Sequence, residues 1–187
     1  MEQKTQNTSL LVMDMQGGII ANFTQVRTEL VNANKKAIDY AREQKIPVIF
    51  VTVGFRQGMP EVRANNKGFA AVKERFADAD MNMFTTILPE LGKKEDELLV
   101  MKRGLSAFAA SDLEMILRSL GIQHLVLTGI STNGVVLSTL REAVDKDYQL
   151  TVLADCCADA DEEVHRVLTT KIFPRHADVM TVDEWAA

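Results

Sequence analysis

Reactive side chains come directly after several apolar runs of this sequence. In chain order they are Asp14, Lys102, Ser131, Thr132, Cys156 and Cys157. A carboxylate and an ammonium group form a plausible proton-transfer pair, because burial raises the carboxyl pKa and the neighbouring positive charge lowers it again. A thiol or hydroxyl can instead act as a nucleophile when a base or a helix N-terminus activates it. These residue types therefore indicate acid–base or nucleophilic chemistry.

Each of these residues also has a purely structural interpretation. Asp14 could cap a turn while Lys102 lies in solvent. Thr132 could be the N-cap of a helix, and the two cysteines could fill a small gap in the core. None of the three histidines is placed by the sequence to act as a base for a hydroxyl or a thiol. The sequence alone leaves both interpretations open.

Six apolar runs predict the strands that position these side chains. They cover residues 10–13, 47–53, 97–100, 124–128, 150–154 and 177–180. The runs are continuously apolar rather than alternating, which is typical of strands buried on both faces. Because helix-like segments separate most of them, we predict an α/β fold in which a parallel sheet carries helices on both faces. Ligands bind beyond the carboxyl ends of such strands, where the reactive residues lie.

Helix signals mark most of the segments between the strands. The predicted helical segments are 30–44, 111–120, 132–146 and 181–184, and the acidic residues 159–163 mark the start of a further helix. Ser111 and Glu114 have the spacing of a capping box, and Thr132 or Asn133 can be the N-cap of the helix that follows the fourth strand. Residues 54–94 show no regular pattern, so we expect a long loop there, of the kind that forms lids and binding sites.

Composition excludes several classes of function. The 187 residues carry a formal net charge of -5 and suit one domain over residues 1–187. We expect no nucleic-acid partner, because no run of basic residues stands out, and no membrane span, because no apolar stretch is long enough. The polar start of the chain predicts no leader peptide. The only two cysteines are adjacent, which excludes a disulfide framework and favours the cytoplasm.

Four motifs resemble those of the isochorismatase-like hydrolases. They are D-x-Q at Asp14 and Gln16, K-x-x-x-S-A-F at residues 102–108, T-G-[VI]-x-T-[ND] at residues 128–133 and D-[AG]-[CT] within residues 153–158. Each motif is weak alone. Their combination is specific at the level of the superfamily, because they occur in the family's order across nearly the whole chain.

The resemblance implies a three-layer Rossmann-like fold with six parallel strands in the order 3-2-1-4-5-6. It also implies that Asp14 and Lys102 are catalytic, that the Ile130–Ser131 peptide bond is cis, and that the chain forms a homodimer or homotetramer. The residues that we expect to line the substrate site are Gln16, Arg56, Phe108, Ser131, Thr132 and Val135. Of these, Arg56 has the side chain that could bind a substrate carboxylate through two hydrogen bonds.

Val135 is the main departure from the family pattern. The family's amide hydrolases have their nucleophilic cysteine at this position, and valine cannot attack a carbonyl. The family's isochorismatases also lack that cysteine and cleave a vinyl ether by protonation. We therefore expect a hydrolase that acts on a small anionic metabolite with Asp14 as proton donor and Lys102 beside it. A nucleophile elsewhere in the site and a binding protein without turnover are the alternatives.

We expect neither a cofactor nor a metal. The turn after the first strand lacks the G-x-G-x-x-G spacing of dinucleotide-binding folds. The segment after the second strand lacks the histidine cluster of metal-dependent family members. Glu162 and His165 have the spacing of a metal motif, but it occurs only once.

Overall fold

The computed structural model describes residues 7–76, 78 and 80–187, and within them six strands form one parallel sheet. The strands are β1 Thr8–Met13, β2 Val48–Val53, β3 Leu98–Lys102, β4 His124–Ile130, β5 Gln149–Ala158 and β6 Asp178–Met180. Their order across the sheet is β3-β2-β1-β4-β5-β6, and every neighbouring pair is parallel. The predicted fold class and strand order are confirmed.

Helices connect the strands in chain order. The α-helices are α1 Gly17–Ile20, α2 Arg27–Glu43, α3 Lys67–Phe76, α4 Met81–Thr85, α5 Leu113–Ser119, α6 Leu137–Asp145, α7 Glu162–Val167 and α8 Val182–Trp185. Short 3₁₀ turns form at Pro89–Leu91 and Phe173–Arg175, and π-helical turns form at Thr132–Val136 and Leu168–Ile172. No helix among the described residues is long and apolar enough to cross a membrane.

The core lies on both faces of the sheet. Successive residues of β1 point to opposite faces, so Leu10 and Val12 belong to one buried cluster and Leu11 and Met13 to the other. The buried stripe of α2 packs into the first cluster, and the buried residues of α5 and α6 pack into the second. This explains why the strand sequences are continuously apolar: every β1 side chain is buried.

The segment after β2 differs from its prediction. Instead of one long loop, residues 54–94 contain α3, α4 and a 3₁₀ turn. These elements surround a third apolar cluster that includes Phe55, Met59, Val62 and Phe84. No residue of α3 is fully buried, because α3 packs only on this small cluster.

Two predicted helix starts also differ from the structure. Ser111 and Glu114 form no capping box, because the Ser111 hydroxyl donates to the carbonyl of Ala107, and the Glu114 carboxylate pairs with Arg118 and Lys146. Thr132 does not cap its helix either, as described below. By contrast, the predicted capped turn at α8 is confirmed as a full capping box between Thr181 and Glu184.

Candidate active site

Asp14 and Lys102 form a buried ion pair at the carboxyl ends of β1 and β3. The Lys102 Nζ lies 2.9 Å from the Asp14 Oδ2, and only 2% and 6% of the two side chains are exposed. Asp14 has a φ of 56°, which turns the chain sharply beyond β1, and its backbone N–H donates to the Val51 carbonyl. The structure therefore brings together the two residues that the sequence suggested as a proton-transfer pair.

The ion pair leaves one carboxylate oxygen of Asp14 unused. Its Oδ1 is buried and accepts no hydrogen bond from any described residue. The Lys102 ammonium also donates to the Gly104 carbonyl at 2.9 Å, which holds the lysine from a second side. Burial raises the pKa of Asp14 to about 6, although the charge and hydrogen bond of Lys102 oppose this shift. Asp14 can thus exchange a proton near neutral pH.

A tight turn after β4 lies beside Asp14. Met13 pairs with Gly129, and a Cβ on Gly129 would lie only 1.9 Å from the Met13 carbonyl oxygen, so only glycine fits there. The next peptide bond, Ile130–Ser131, is cis, as the resemblance implies. Ser131 is partly exposed, and its hydroxyl donates to the Asn133 side chain at 3.2 Å. The turn is held against β5 because the Asn133 backbone N–H donates to Asp159 at 2.7 Å.

The hydroxyl of Thr132, in the turn after β4, contacts the imidazole of His165. The Thr132 Oγ1 lies 2.8 Å from the Nδ1 of His165, and Thr132 is fully buried. Burial lowers the pKa of His165, while the nearby charges of Asp159 and Glu162 oppose that shift. The sequence did not indicate His165 as a base for this hydroxyl, yet the structure places the two side chains in contact. The signal was present, because His165 follows β5, whose carboxyl end lies beside that of β4.

Gln16 lies entirely within the protein and connects three segments. Its side-chain amide donates to the carbonyls of Val53 and Phe84, and its carbonyl accepts the backbone N–H of Val53, each at 2.9 Å. Both ends of the amide are thus bonded to backbone. Gln16 fixes the segment after Asp14 against the end of β2 and against α4.

The other expected site residues are more dispersed. Arg56 is exposed and pairs with Glu61 at 2.8 Å. Phe108 is buried, and its ring stacks on Tyr148 and receives the ammonium of Lys146. These ring contacts join Phe108 to the residues directly before β5, away from the Asp14–Lys102 pair.

Val135 and the two cysteines offer no reactive thiol. Val135 is buried in the π-helical turn after β4. Cys156 and Cys157 are free but buried. Burial raises the pKa of Cys157 to about 12, and it raises that of Cys156 still further above the usual range, helped by the charge of Asp155. Both thiols therefore stay protonated at neutral pH.

A cavity of about 610 Å³ opens beyond β5, one strand away from the turn. Residues 22–26, residues 157–160 and His165 contribute to its walls, whereas Asp14 and Lys102 do not. His165 thus lies between this cavity and Thr132. Among the described residues, no group of three or more histidine, cysteine, aspartate or glutamate side chains is arranged to hold a metal ion.

Comparisons with known proteins agree on one family. The isochorismatase domain matches residues 8–184. A ureidoacrylate amidohydrolase, RutB, from Serratia proteamaculans is 34% identical, and the match covers 83% of this chain and 71% of that protein. A protein of Arabidopsis thaliana described as a "probable inactive nicotinamidase" is 27% identical over 100% of this chain and 98% of its own length.

A solved structure agrees with the same assignment. An isochorismatase family protein from Burkholderia thailandensis superimposes with a TM-score of 0.82 and is 27% identical. The superposition covers 97% of this chain and 95% of that one. The similarity thus extends over the whole sheet and its helices.

Proposed function

The chain belongs to the isochorismatase family of hydrolases, and from that premise we propose that Asp14 and Lys102 carry out its chemistry without a covalent cysteine. The observation that supports this proposal is the buried ion pair with one unused carboxylate oxygen. The substrate that we propose is a small anionic metabolite. The proposed site of action is the cytoplasm, in keeping with two free thiols.

In the proposed reaction Asp14 is the general acid. For a vinyl ether, the Oδ1–H of protonated Asp14 gives its proton to the terminal enol carbon, which leaves an oxocarbenium ion and an Asp14 carboxylate. Water adds to the cationic carbon and returns a proton to that carboxylate. The resulting hemiketal collapses to a ketone and an alcohol. Lys102 stabilises the carboxylate form that exists between the two proton transfers.

The turn after β4 is the proposed binding surface for the substrate. Ser131 is partly exposed and lies two residues after Gly129, which pairs with Met13 next to Asp14, so we assign Ser131 a direct hydrogen bond to the substrate. Arg56 is assigned to the substrate's anionic group, which it would reach by exchanging its bond to Glu61. Val135 and Phe108 are assigned to apolar walls. Thr132 and Gln16 shape the site through their bonds to His165 and to backbone.

One observation supports a second candidate function. The 2.8 Å contact between Thr132 and His165 is the geometry of a hydroxyl nucleophile with its base, which would suit amide hydrolysis. Burial of Thr132 counts against this alternative, because the hydroxyl would need a path to the substrate. The loss of cysteine at Val135 is also compatible with a protein that binds a small molecule without turnover.

The test is a turnover screen of the purified protein against vinyl ethers, amides and ureides. Asp14→Asn removes the proton but keeps the shape, and it should reduce kcat/KM by about 10³-fold on any substrate found. Asp178→Asn is the matched control, because Asp178 is an exposed aspartate on β6, and it should keep full activity. Unchanged activity in Asp14→Asn would contradict the proposal. Loss of activity in Thr132→Val but not in Asp14→Asn would favour the second candidate.

A further inference from the structure

The carboxylate of Glu61 lies between two arginine side chains near the ends of β2 and β3. Its Oε1 accepts a hydrogen bond from the Nη1 of Arg56 at 2.8 Å, and the Nε of Arg103 lies 3.8 Å from the same oxygen. The second distance is too long for a hydrogen bond. Glu61 is thus bonded to one guanidinium group and has a second one within reach.

The segment that carries Glu61 is held in place without the help of Arg56. The ammonium of Lys73, on α3, donates to the carbonyls of Met59 and Val62, each at 3.0 Å. The side chains of Met59 and Val62 are also buried in the third apolar cluster. Because these anchors lie on both sides of Glu61 in the chain, its backbone stays in place when the Arg56 side chain moves.

Arg103 connects this carboxylate to the catalytic end of the sheet. It directly follows Lys102, which pairs with Val53 across the sheet. Its Nη1 donates to the carbonyl of Gly54 at 2.7 Å, just before the chain reaches Arg56. Arg103 therefore joins the strand end that carries the proposed catalytic lysine to the segment that carries Arg56.

The three charged side chains differ in exposure. Arg56 is 73% exposed, whereas Glu61 and Arg103 are 18% and 28% exposed. Arg56 can leave its partner at little cost, because ion pairs of such exposed side chains are weak. The mostly buried Glu61 carboxylate still needs a counter-ion after Arg56 has left it.

We propose that Arg103 is a positioning residue, which takes over the Glu61 carboxylate when Arg56 turns to the anionic group of the substrate. This inference rests on the proposed assignment of Arg56 to that group. In the complex Arg103 closes the gap of 3.8 Å, so that Glu61 and the substrate anion each have one guanidinium partner. A neutral substrate brings no anion to the exchange. The two arginines therefore select for a small carboxylate.

The proposal is tested with a small carboxylate that the protein can bind but cannot hydrolyse. The probe is 2-methoxypropanoate, the saturated analogue of a simple carboxylate-bearing vinyl ether, and its methyl ester is the neutral counterpart. Thermal-shift titrations give a dissociation constant for each compound. The wild type should bind the anion at least about tenfold more tightly than the ester. Because binding is measured without turnover, the result does not depend on whether Asp14 is the proton donor.

Replacing Arg103 should weaken binding of the anion alone. Arg103→Met should raise the dissociation constant of 2-methoxypropanoate by about five- to tenfold and leave that of the ester unchanged, because Glu61 then retains Arg56. Arg103→Lys should recover part of this loss, since an ammonium group can also pair with Glu61. Arg63→Met is the matched control, because it removes an exposed arginine from the same segment, and it should change neither dissociation constant.

A double-mutant cycle separates this exchange from the hydrogen bond between Arg103 and Gly54. In Glu61→Gln the side chain of Arg56 has no carboxylate to leave, so the anion should bind at least as tightly as it does to the wild type. Adding Arg103→Met to Glu61→Gln should then change the dissociation constant by less than about twofold.

Two results would overturn the proposal. One is an equal loss of affinity on Arg103→Met with and without Glu61→Gln, which would show that Arg103 acts only through Gly54. The other is a wild type that has no preference for the anion over the ester. Turnover that persists in Asp14→Asn would instead contradict only the proposed reaction.

Discussion

Two pairs of buried side chains, Asp14 with Lys102 and Cys156 with Cys157, lie near the carboxyl ends of the parallel strands and differ in their ability to exchange a proton. Asp14 and Lys102 are oppositely charged, and the pKa of Asp14 is about 6. Among the residues that the structure describes, no positive charge lowers the pKa of Cys156 or Cys157, and the pKa of Cys157 is about 12. Burial raises both pKa values, but only the carboxyl remains able to exchange a proton near pH 7. A buried group becomes useful here when its environment also supplies the opposing charge.

Replacing Lys102 is expected to have the largest effect on this contrast in pKa between the carboxyl and the thiols. In Lys102→Met the Asp14 carboxyl loses its counter-ion, so its pKa rises further and the carboxylate form needed after proton transfer becomes costly. We expect kcat/KM to fall by about 10²- to 10⁴-fold on a substrate that the wild type turns over. The free energy of unfolding from urea titration at pH 7 should fall by about 3 kcal/mol, and by less at pH 5, where Asp14 is neutral.

Lys171→Met is the control for this prediction. Lys171 is exposed and lies in the π-helical turn after α7. Its replacement should change neither kcat/KM nor the free energy of unfolding by a measurable amount. A Lys102→Met enzyme with wild-type kcat/KM would show that the ion pair serves only the fold.

The pH dependence of the rate should sharpen the same comparison. If Asp14 is the proton donor, its protonated form is the active one. The logarithm of kcat/KM should then be level below pH 6 and fall by one for each pH unit above it, because the pKa of Asp14 is about 6. A rate that instead rises through pH 6 would assign Asp14 the role of a base. The residual rate of Asp14→Asn should be flat over this range.

Stability should respond to Asp14 in a direction fixed by its pKa. The value of about 6 in the folded protein lies above that of an exposed aspartate, near 4. The stabilising contribution of Asp14 is therefore fully present below pH 4 and is lost as the pH rises through 6. Between pH 4 and pH 6 the unfolding free energy of the wild type, measured by urea titration, should therefore fall relative to that of Asp14→Asn.

The sequence predicted the sheet because its strands are buried on both faces, which makes them continuous apolar runs. It also predicted the Asp14–Lys102 pair, because both residues end strands and match a family motif. The helices of residues 54–94 were missed because Gly58, Pro60, Gly68 and Pro89 suggested a loop. The helical signal was nevertheless present, since Phe69, Val72 and Phe76 of α3 recur at helical spacing and pack on the third apolar cluster.

The Thr132–His165 contact was missed for a different reason. The two residues lie 33 positions apart, and Thr132 begins the π-helical turn at Thr132–Val136. No local sequence pattern predicts such a turn. The position of Thr132 before a helix favoured the commonest role of a threonine there, that of an N-cap. The expected contacts of Phe108 and Gln16 likewise depended on which way each side chain points, and that is decided by neighbours distant in sequence.

The smallest effect is expected from the thiols. Replacing both residues in Cys156→Ala/Cys157→Ala should leave kcat/KM within about twofold of the wild type, because neither thiol ionises near neutral pH. Iodoacetamide at pH 7.5, about one unit below an ordinary cysteine pKa, should likewise leave the native enzyme active, since alkylation requires an accessible thiolate. Mass spectrometry should find label only after urea unfolding. Rapid labelling of the native protein together with loss of activity would show that a cysteine on β5 is the nucleophile. The thiols would then be as reactive as the Asp14 carboxyl, which contradicts the contrast drawn from their pKa values.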